Sequence, residues 1–210
     1  VYSNNINTTG NTAYAIYLQS NVYNNLIYSN NITTSGSSGY GTYLSSNSSN
    51  NQIYSNTITT SGSINGYGAN LDTSSNNNNV YSNTITTSGS TGYGAFLSSS
   101  SNNSVYSNTI TTSGSTGIGA YLYSSSNNNN VYSNTITTSG SNGYGAVLDT
   151  SSNNNVYSNT ITTSRSNGYG AFLFSSSNNN NVYSNNITTS NISSYGIYLN
   201  SNVYNSTIYD

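Results

Sequence analysis

The stretch Val80-Tyr81-Ser82-Asn83-Thr84-Ile85-Thr86-Thr87, continued by Ser88-Gly89-Ser90-Thr91-Gly92-Tyr93-Gly94 and then Ala95-Phe96-Leu97-Ser98, decides the fold. Its first and third pieces alternate apolar and polar residues with period two, as short half-buried strands do. The alternation places Val80, Ile85, Ala95 and Leu97 inward, and Tyr81, Thr84, Thr86 and Phe96 outward. The phase changes between Val80 and Ile85, so the chain must bend near Ser82-Asn83. The Gly-rich middle piece and the run Asn76 to Asn79 before Val80 read as the other corners, because Gly and Asn tolerate the left-handed backbone of sharp turns. Three corners make a roughly triangular coil.

This coil recurs. The tripeptide (Val/Ile)-Tyr-Ser begins at Val1, Ile27, Ile53, Val80, Val105, Val131, Val156 and Val182, in steps of 25 to 27 residues, and Ile208-Tyr209-Asp210 opens a ninth copy. A second apolar group keeps its place in each period, as in Ile16-Tyr17-Leu18, Tyr43-Leu44, Ala120-Tyr121-Leu122, Ala146-Val147-Leu148 and Ala171-Phe172-Leu173. One coil buries little, but copies stacked at the ~4.8 Å strand spacing put each inward Ile or Leu on its counterpart above and below. In-register Asn and Ser side chains stack likewise and can satisfy one another's hydrogen bonds. The expectation is an all-β solenoid with three short strands per coil, a single array over residues 1–210 and a length of roughly 40 Å. β-Branched, Ser, Asn and Gly residues are poor helix formers and no stretch has a 3.6-residue period, which argues against a helical repeat. The fixed phase also argues against a disordered low-complexity tract.

The pattern Asn186-Ile187 followed by Tyr195-Gly196-Ile197-Tyr198-Leu199 resembles the repeats of the pectate-lyase-like superfamily, most closely its NosD-like branch and bacterial and archaeal surface proteins. The resemblance covers essentially the whole chain and implies a right-handed parallel β-helix. It implies little about function, because that superfamily includes lyases, hydrolases, adhesins and filaments.

Composition removes most chemistry. Among 210 residues there is one basic residue, Arg165, and three acidic ones, Asp72, Asp149 and Asp210, with no His, Cys, Met, Pro or Trp. Nucleic-acid binding and anionic-membrane binding lack their electrostatic term. No apolar run reaches transmembrane length. No cofactor or metal is expected, and the chain is not expected to be an enzyme. Asp72 and Asp149 hold the same coil position but lie three rungs apart, roughly 14 Å, too far for paired carboxylates, which work at ~5 to 9.5 Å. Both read as solvated surface acids.

Three surface features remain. Thr-Ile-Thr places Thr57 and Thr59, Thr84 and Thr86, Thr109 and Thr111, Thr135 and Thr137, and Thr160 and Thr162 in two outward ranks on consecutive rungs. They resemble the Thr-x-Thr arrays of solenoid ice-binding proteins, although Thr is also simply a good exposed-strand residue. A tyrosine ladder runs through Tyr28, Tyr54, Tyr81, Tyr106, Tyr132 and Tyr157, with Tyr2, Tyr183 and Tyr209 beyond, and a second through Tyr14, Tyr40, Tyr67, Tyr93, Tyr144, Tyr169 and Tyr195. These read as cladding of the backbone or as a contact surface for sugars or a neighbouring solenoid. N-glycosylation sequons stand at Asn7, Asn31, Asn47, Asn102, Asn186, Asn191 and Asn205.

Neither terminus carries a distinct cap, and the outer coils resemble each other: Ser20-Asn21-Val22-Tyr23-Asn24 recurs as Ser201-Asn202-Val203-Tyr204-Asn205. Solenoids expose strand edges at their ends, so the missing caps mean either that these coils are part of a longer array or that their ends stack on other copies. The reading is therefore an extracellular or cell-surface filament or stalk whose main partner is itself, stacked end to end, with attached or bound glycans as further partners. An ice- or glycan-binding solenoid is the alternative, and a polysaccharide-degrading enzyme the third.

Overall fold

The computed structural model describes Val1 to Asp210 and contains 24 β-strands and no helix, and thus no helix long and apolar enough to cross a membrane. The strands form three eight-stranded sheets, every pairing parallel and every partner the equivalent strand one coil away. In the fourth coil the strands are Asn79–Tyr81, Thr84–Thr87 and Tyr93–Ser98. By their inward residues the sheets are called here the Val, Thr and Leu sheets. Residue pairing is in register throughout: Val80 faces Val105, Ile85 faces Ile110 and Leu97 faces Leu122.

The apolar interior is one column of 26 buried residues in which Val80, Ile85, Ala95 and Leu97 are fully enclosed. Tyr81, Thr84, Thr86 and Phe96 point outward, as the period-two pattern requires. The fourth residue of the Thr strand completes the alternation. Thr34, Thr60, Thr87, Thr112, Thr138 and Thr163 are buried, so Thr-Ile-Thr-Thr reads out, in, out, in.

The Asn-rich corner has the left-handed backbone expected of it, but the Gly-rich corner is built differently from the sequence expectation. No glycine has positive φ; the left-handed positions belong to Ser and Asn, with Ser82 at 54° and Asn77 at 58°. The glycines instead supply room. A Cβ on Gly94 would collide with Ile110 Cγ2 and come within 2.6 Å of the Gly119 carbonyl oxygen, and the same crowding recurs at Gly68 and Gly119. Gly stands at this position because the Leu sheet meets the Ile rank there at backbone distance.

The corner asparagines are structural in a stronger sense than turn formers. Asn83 and Asn78 point into the coil and are almost completely buried. At the first corner, Asn108 N–H and Nδ2 both donate to Asn134 Oδ1 at 3.0 Å, Nδ2 also donates to the Val80 carbonyl at 2.9 Å, and Asn108 Oδ1 accepts from Asn83 N–H and Nδ2 at 3.0 Å. The motif repeats from Asn4 through Asn185. At the other corner Asn78 N–H donates to Asn103 Oδ1 and Asn103 N–H to Asn129 Oδ1, both at 2.8 Å, in a ladder running from Asn25 to Asn180. Buried amides are tolerated because each rung answers the polar groups of the next.

Candidate functional site

The Thr sheet carries the most regular outer face. Thr57, Thr84, Thr109, Thr135 and Thr160 are consecutive register partners, as are Thr59, Thr86, Thr111, Thr137 and Thr162. All of these are exposed except Thr59 and Thr162, which are half-buried. The result is a two-column grid five rungs tall, spaced ~4.8 Å along the axis and ~6.6 Å along the strand. Asn31 and Asn186 bound the first column at its two ends. No strand of this sheet contains an aromatic residue, so no aromatic side chain of the sheet interrupts the grid.

On the Val sheet the ladder from Tyr2 to Tyr209 is continuous. Successive ring centroids lie 4.8 to 5.1 Å apart with interplanar angles of 1° to 8°. Each inner ring therefore has both faces covered by its neighbours and presents only its edge and hydroxyl to solvent. Open faces remain at the two ends, where Tyr2 is 61% and Tyr209 50% exposed. A sugar that must lie flat on a ring finds no free face along this ladder.

The second tyrosine series lies on the outer side of the Leu sheet and is discontinuous, because Ile118 interrupts it between Tyr93 and Tyr144. It is also less exposed than a surface ladder would be: Tyr67, Tyr93, Ile118 and Val147 are buried and form a small external cluster with Phe96, Tyr121 and others. Register was the signal for this cluster, since Phe96, Tyr121, Val147 and Phe172 occupy one position on successive rungs.

The acids belong to this same face. Register runs Asp72, Ser98, Tyr123, Asp149, which keeps the carboxylates three rungs apart. Asp149 is not solvated as the composition alone suggested, being only 9% exposed, whereas Asp72 is half-buried. Tyr121 Oη donates to Asp149 Oδ2 at 3.0 Å and Thr150 Oγ1 to Asp149 Oδ1 at 3.0 Å; Tyr43 Oη donates to Asp72 Oδ2 at 3.3 Å and Thr73 N–H to Asp72 Oδ1 at 2.8 Å. Burial, helped by the charge of Asp72, pushes the Tyr43 phenol up to about 12. Burial and Asp149 act in the same direction on Tyr121. Each carboxylate thus serves as an acceptor for a neighbouring hydroxyl. No three acids, histidines or cysteines converge anywhere.

All seven sequon asparagines, Asn7, Asn31, Asn47, Asn102, Asn186, Asn191 and Asn205, are exposed, and none of the buried ladder asparagines is the acceptor of a sequon. Leu199 and Ile208 on the last rung are 39% and 43% exposed, whereas their counterparts Leu173 and Val182 one rung earlier are fully buried. Both surface depressions of the molecule also lie at that end, one lined by Val182, Ile197 and Ile208, the other by Leu199 and Val203.

Three parallel sheets wound coil upon coil around one apolar column define a β-solenoid. Residues 63–210 match the family described as the right handed beta helix region, and the chain belongs to that family. Comparison with curated proteins finds no match.

Proposed function

We propose that this chain is a structural element, an extracellular or cell-surface rod that lengthens when the last rung of one copy stacks on the first rung of the next. The observation that carries this reading is the fit between the two end rungs. Ile197-Tyr198-Leu199 on the last rung repeats the inward and outward order of Ile16-Tyr17-Leu18 on the first. The Asn ladder has a direction: each N–H reaches forward to the following Oδ1, so Asn185 N–H points out of the last rung while Asn4 Oδ1 faces out of the first without a donor. Donors at one end and acceptors at the other suit head-to-tail association, the heterologous arrangement that generates filaments. Tyr209 and Tyr2 bring open ring faces to the same junction.

Sedimentation velocity and negative-stain electron microscopy over a rising concentration series test this. Wild-type chain is expected to form rods longer than one array, and the double variant Leu199→Lys, Ile208→Lys to remain monomeric. Both positions are already partly exposed, so the variant should fold. Wild-type chain that stays monomeric up to its solubility limit would refute the reading.

The Thr grid favours a second reading, a surface that orders water and adheres to ice. What supports it is an uncharged, register-locked array of hydroxyls and methyls on strands that contain no aromatic residue. Wild-type chain should then give measurable thermal hysteresis, and Thr84→Tyr, Thr109→Tyr, Thr135→Tyr together should abolish it. No hysteresis in the wild type ends this reading. Of the glycan relationships, covalent attachment at the exposed sequons fits this surface better than ring stacking on the closed tyrosine ladder.

A further inference from the structure

We infer that the continuous tyrosine ladder of the Val sheet is a site of oxidative phenol coupling, at which a one-electron oxidant of the peroxidase and hydrogen peroxide class joins tyrosines of successive rungs as dityrosine. Four observations converge. The rings from Tyr2 to Tyr209 are nearly parallel, with centroids 4.8 to 5.1 Å apart, so each phenol has its coupling partner in place before any radical forms. Such placement replaces a diffusional encounter by an intramolecular one. From Tyr28 to Tyr183 the rings are half-buried, with their edges open to a solvent-borne oxidant. Their hydroxyls are largely free to release a proton to water: within the ladder only Tyr81 Oη is engaged by another side chain, donating to Gln52 Oε1 at 2.9 Å. Finally, the chain holds 23 tyrosines and no Cys, Met or Trp, so no more easily oxidised side chain competes for the oxidising equivalents.

The chemistry balances without further components. Two phenols each give up one electron and one proton, and the two hydrogen atoms reduce one hydrogen peroxide to two waters. The resulting phenoxyl radicals carry spin on the carbons ortho to oxygen, and a bond forms between one such carbon of each ring. The hydrogen on each bonded carbon then moves to its oxygen, restoring two phenols. The product has lost two hydrogens and joins two rungs covalently. The second series shows the same stacking only from Tyr14 to Tyr93, with centroids 4.7 to 4.9 Å apart, where Tyr67 and Tyr93 are buried away from a solvent-borne oxidant; it is interrupted at Ile118, and the Tyr17 and Tyr43 column at Asn70.

Treating dilute, monomeric chain with peroxidase and hydrogen peroxide tests the inference, read by dityrosine fluorescence and by mass spectrometry of cross-linked peptides two hydrogens lighter than their sum. The expected links join neighbours such as Tyr81 to Tyr106 and Tyr106 to Tyr132. Substituting Tyr28→Phe, Tyr81→Phe, Tyr132→Phe and Tyr183→Phe keeps the stacked rings but leaves no two ladder phenols adjacent, and should abolish these links while circular dichroism stays unchanged. Absence of dityrosine in the wild type, links concentrated on the exposed Tyr23, Tyr123 and Tyr204 outside the ladder, or undiminished coupling in the Phe variant would each overturn it. A link from Tyr209 of one copy to Tyr2 of another rests additionally on end-to-end stacking. If links within a chain form while this one never does, even at high concentration, the stacking reading fails and the coupling inference stands.

Discussion

Asn108→Ala is expected to lower the free energy of unfolding by roughly 3 to 5 kcal/mol, a large effect for one polar side chain. Asn108 is almost completely buried, so its loss strands groups on the preceding rung, while Asn134 Oδ1 keeps the backbone N–H of residue 108. Asn83 N–H loses its acceptor at 3.0 Å, Asn83 Nδ2 loses one of two acceptors and keeps the Ile53 carbonyl, and the Val80 carbonyl loses a donor at 2.9 Å. None can turn to water, and each buried group left unsatisfied costs about 1 to 3 kcal/mol. Denaturant unfolding measures the total; hydrogen exchange locates it, with the Asn83 amide expected to exchange far faster. Thr111→Ser, on the exposed face of the next strand, is the control and should change stability by less than about 1 kcal/mol. Equal effects of the two substitutions would mean that the inner ladder is not what holds adjacent rungs in phase.

Above pH 10 the fold should weaken steeply, and this is the second large effect. Burial raises the phenols of Tyr40, Tyr67, Tyr121 and Tyr144, and takes Tyr43 and Tyr93 to about 12, with Asp72, Asp149 or neighbouring tyrosines adding to the shift at most of these sites. A phenol in the unfolded chain ionises near 10. Where the folded value is higher, the native state keeps its proton after the unfolded state has lost one. The stability contributed is therefore complete below about pH 10 and is lost as pH climbs toward the folded values. Tyr43 and Tyr93 place much of the loss between about 10 and 12. Thermal melts across this interval should show a falling midpoint, and Tyr93→Phe, which keeps the ring and removes the proton, should shallow the fall. A midpoint flat from pH 9 to about 12 would contradict the burial of these rings.

The repeat made the fold legible because each coil states the same alternation independently. Val80, Ile85, Ala95 and Leu97 could be placed inside from local pattern alone, and the Thr and Tyr ranks follow once the period is known. Residues whose role depends on what lies one rung away were harder to read. Asn83 looks like a turn former in its own coil; only stacking on Asn56 and Asn108 reveals a buried hydrogen-bond column, although its recurrence at one coil position was a visible signal. Gly94 looks like a corner residue, yet what demands Gly is the approach of Ile110 from the neighbouring rung. Asp149 looked solvated because sequence gives no view of Tyr121 folding over it. Among the candidate surfaces, the Thr columns were legible in full, whereas the closure of the tyrosine faces emerged only from ring geometry.

The direction of the inter-rung hydrogen bonds has a mechanical corollary. In all three sheets they run along the axis of the rod, while the covalent backbone circles around it. Tension along the axis therefore loads rung interfaces in series, and the rod is only as strong as its weakest interface. Compression instead presses the same bonds and stacked side chains together. A strut built this way resists being crushed better than being pulled, and covalent bridges running along the axis would be the most direct means of giving it tensile strength.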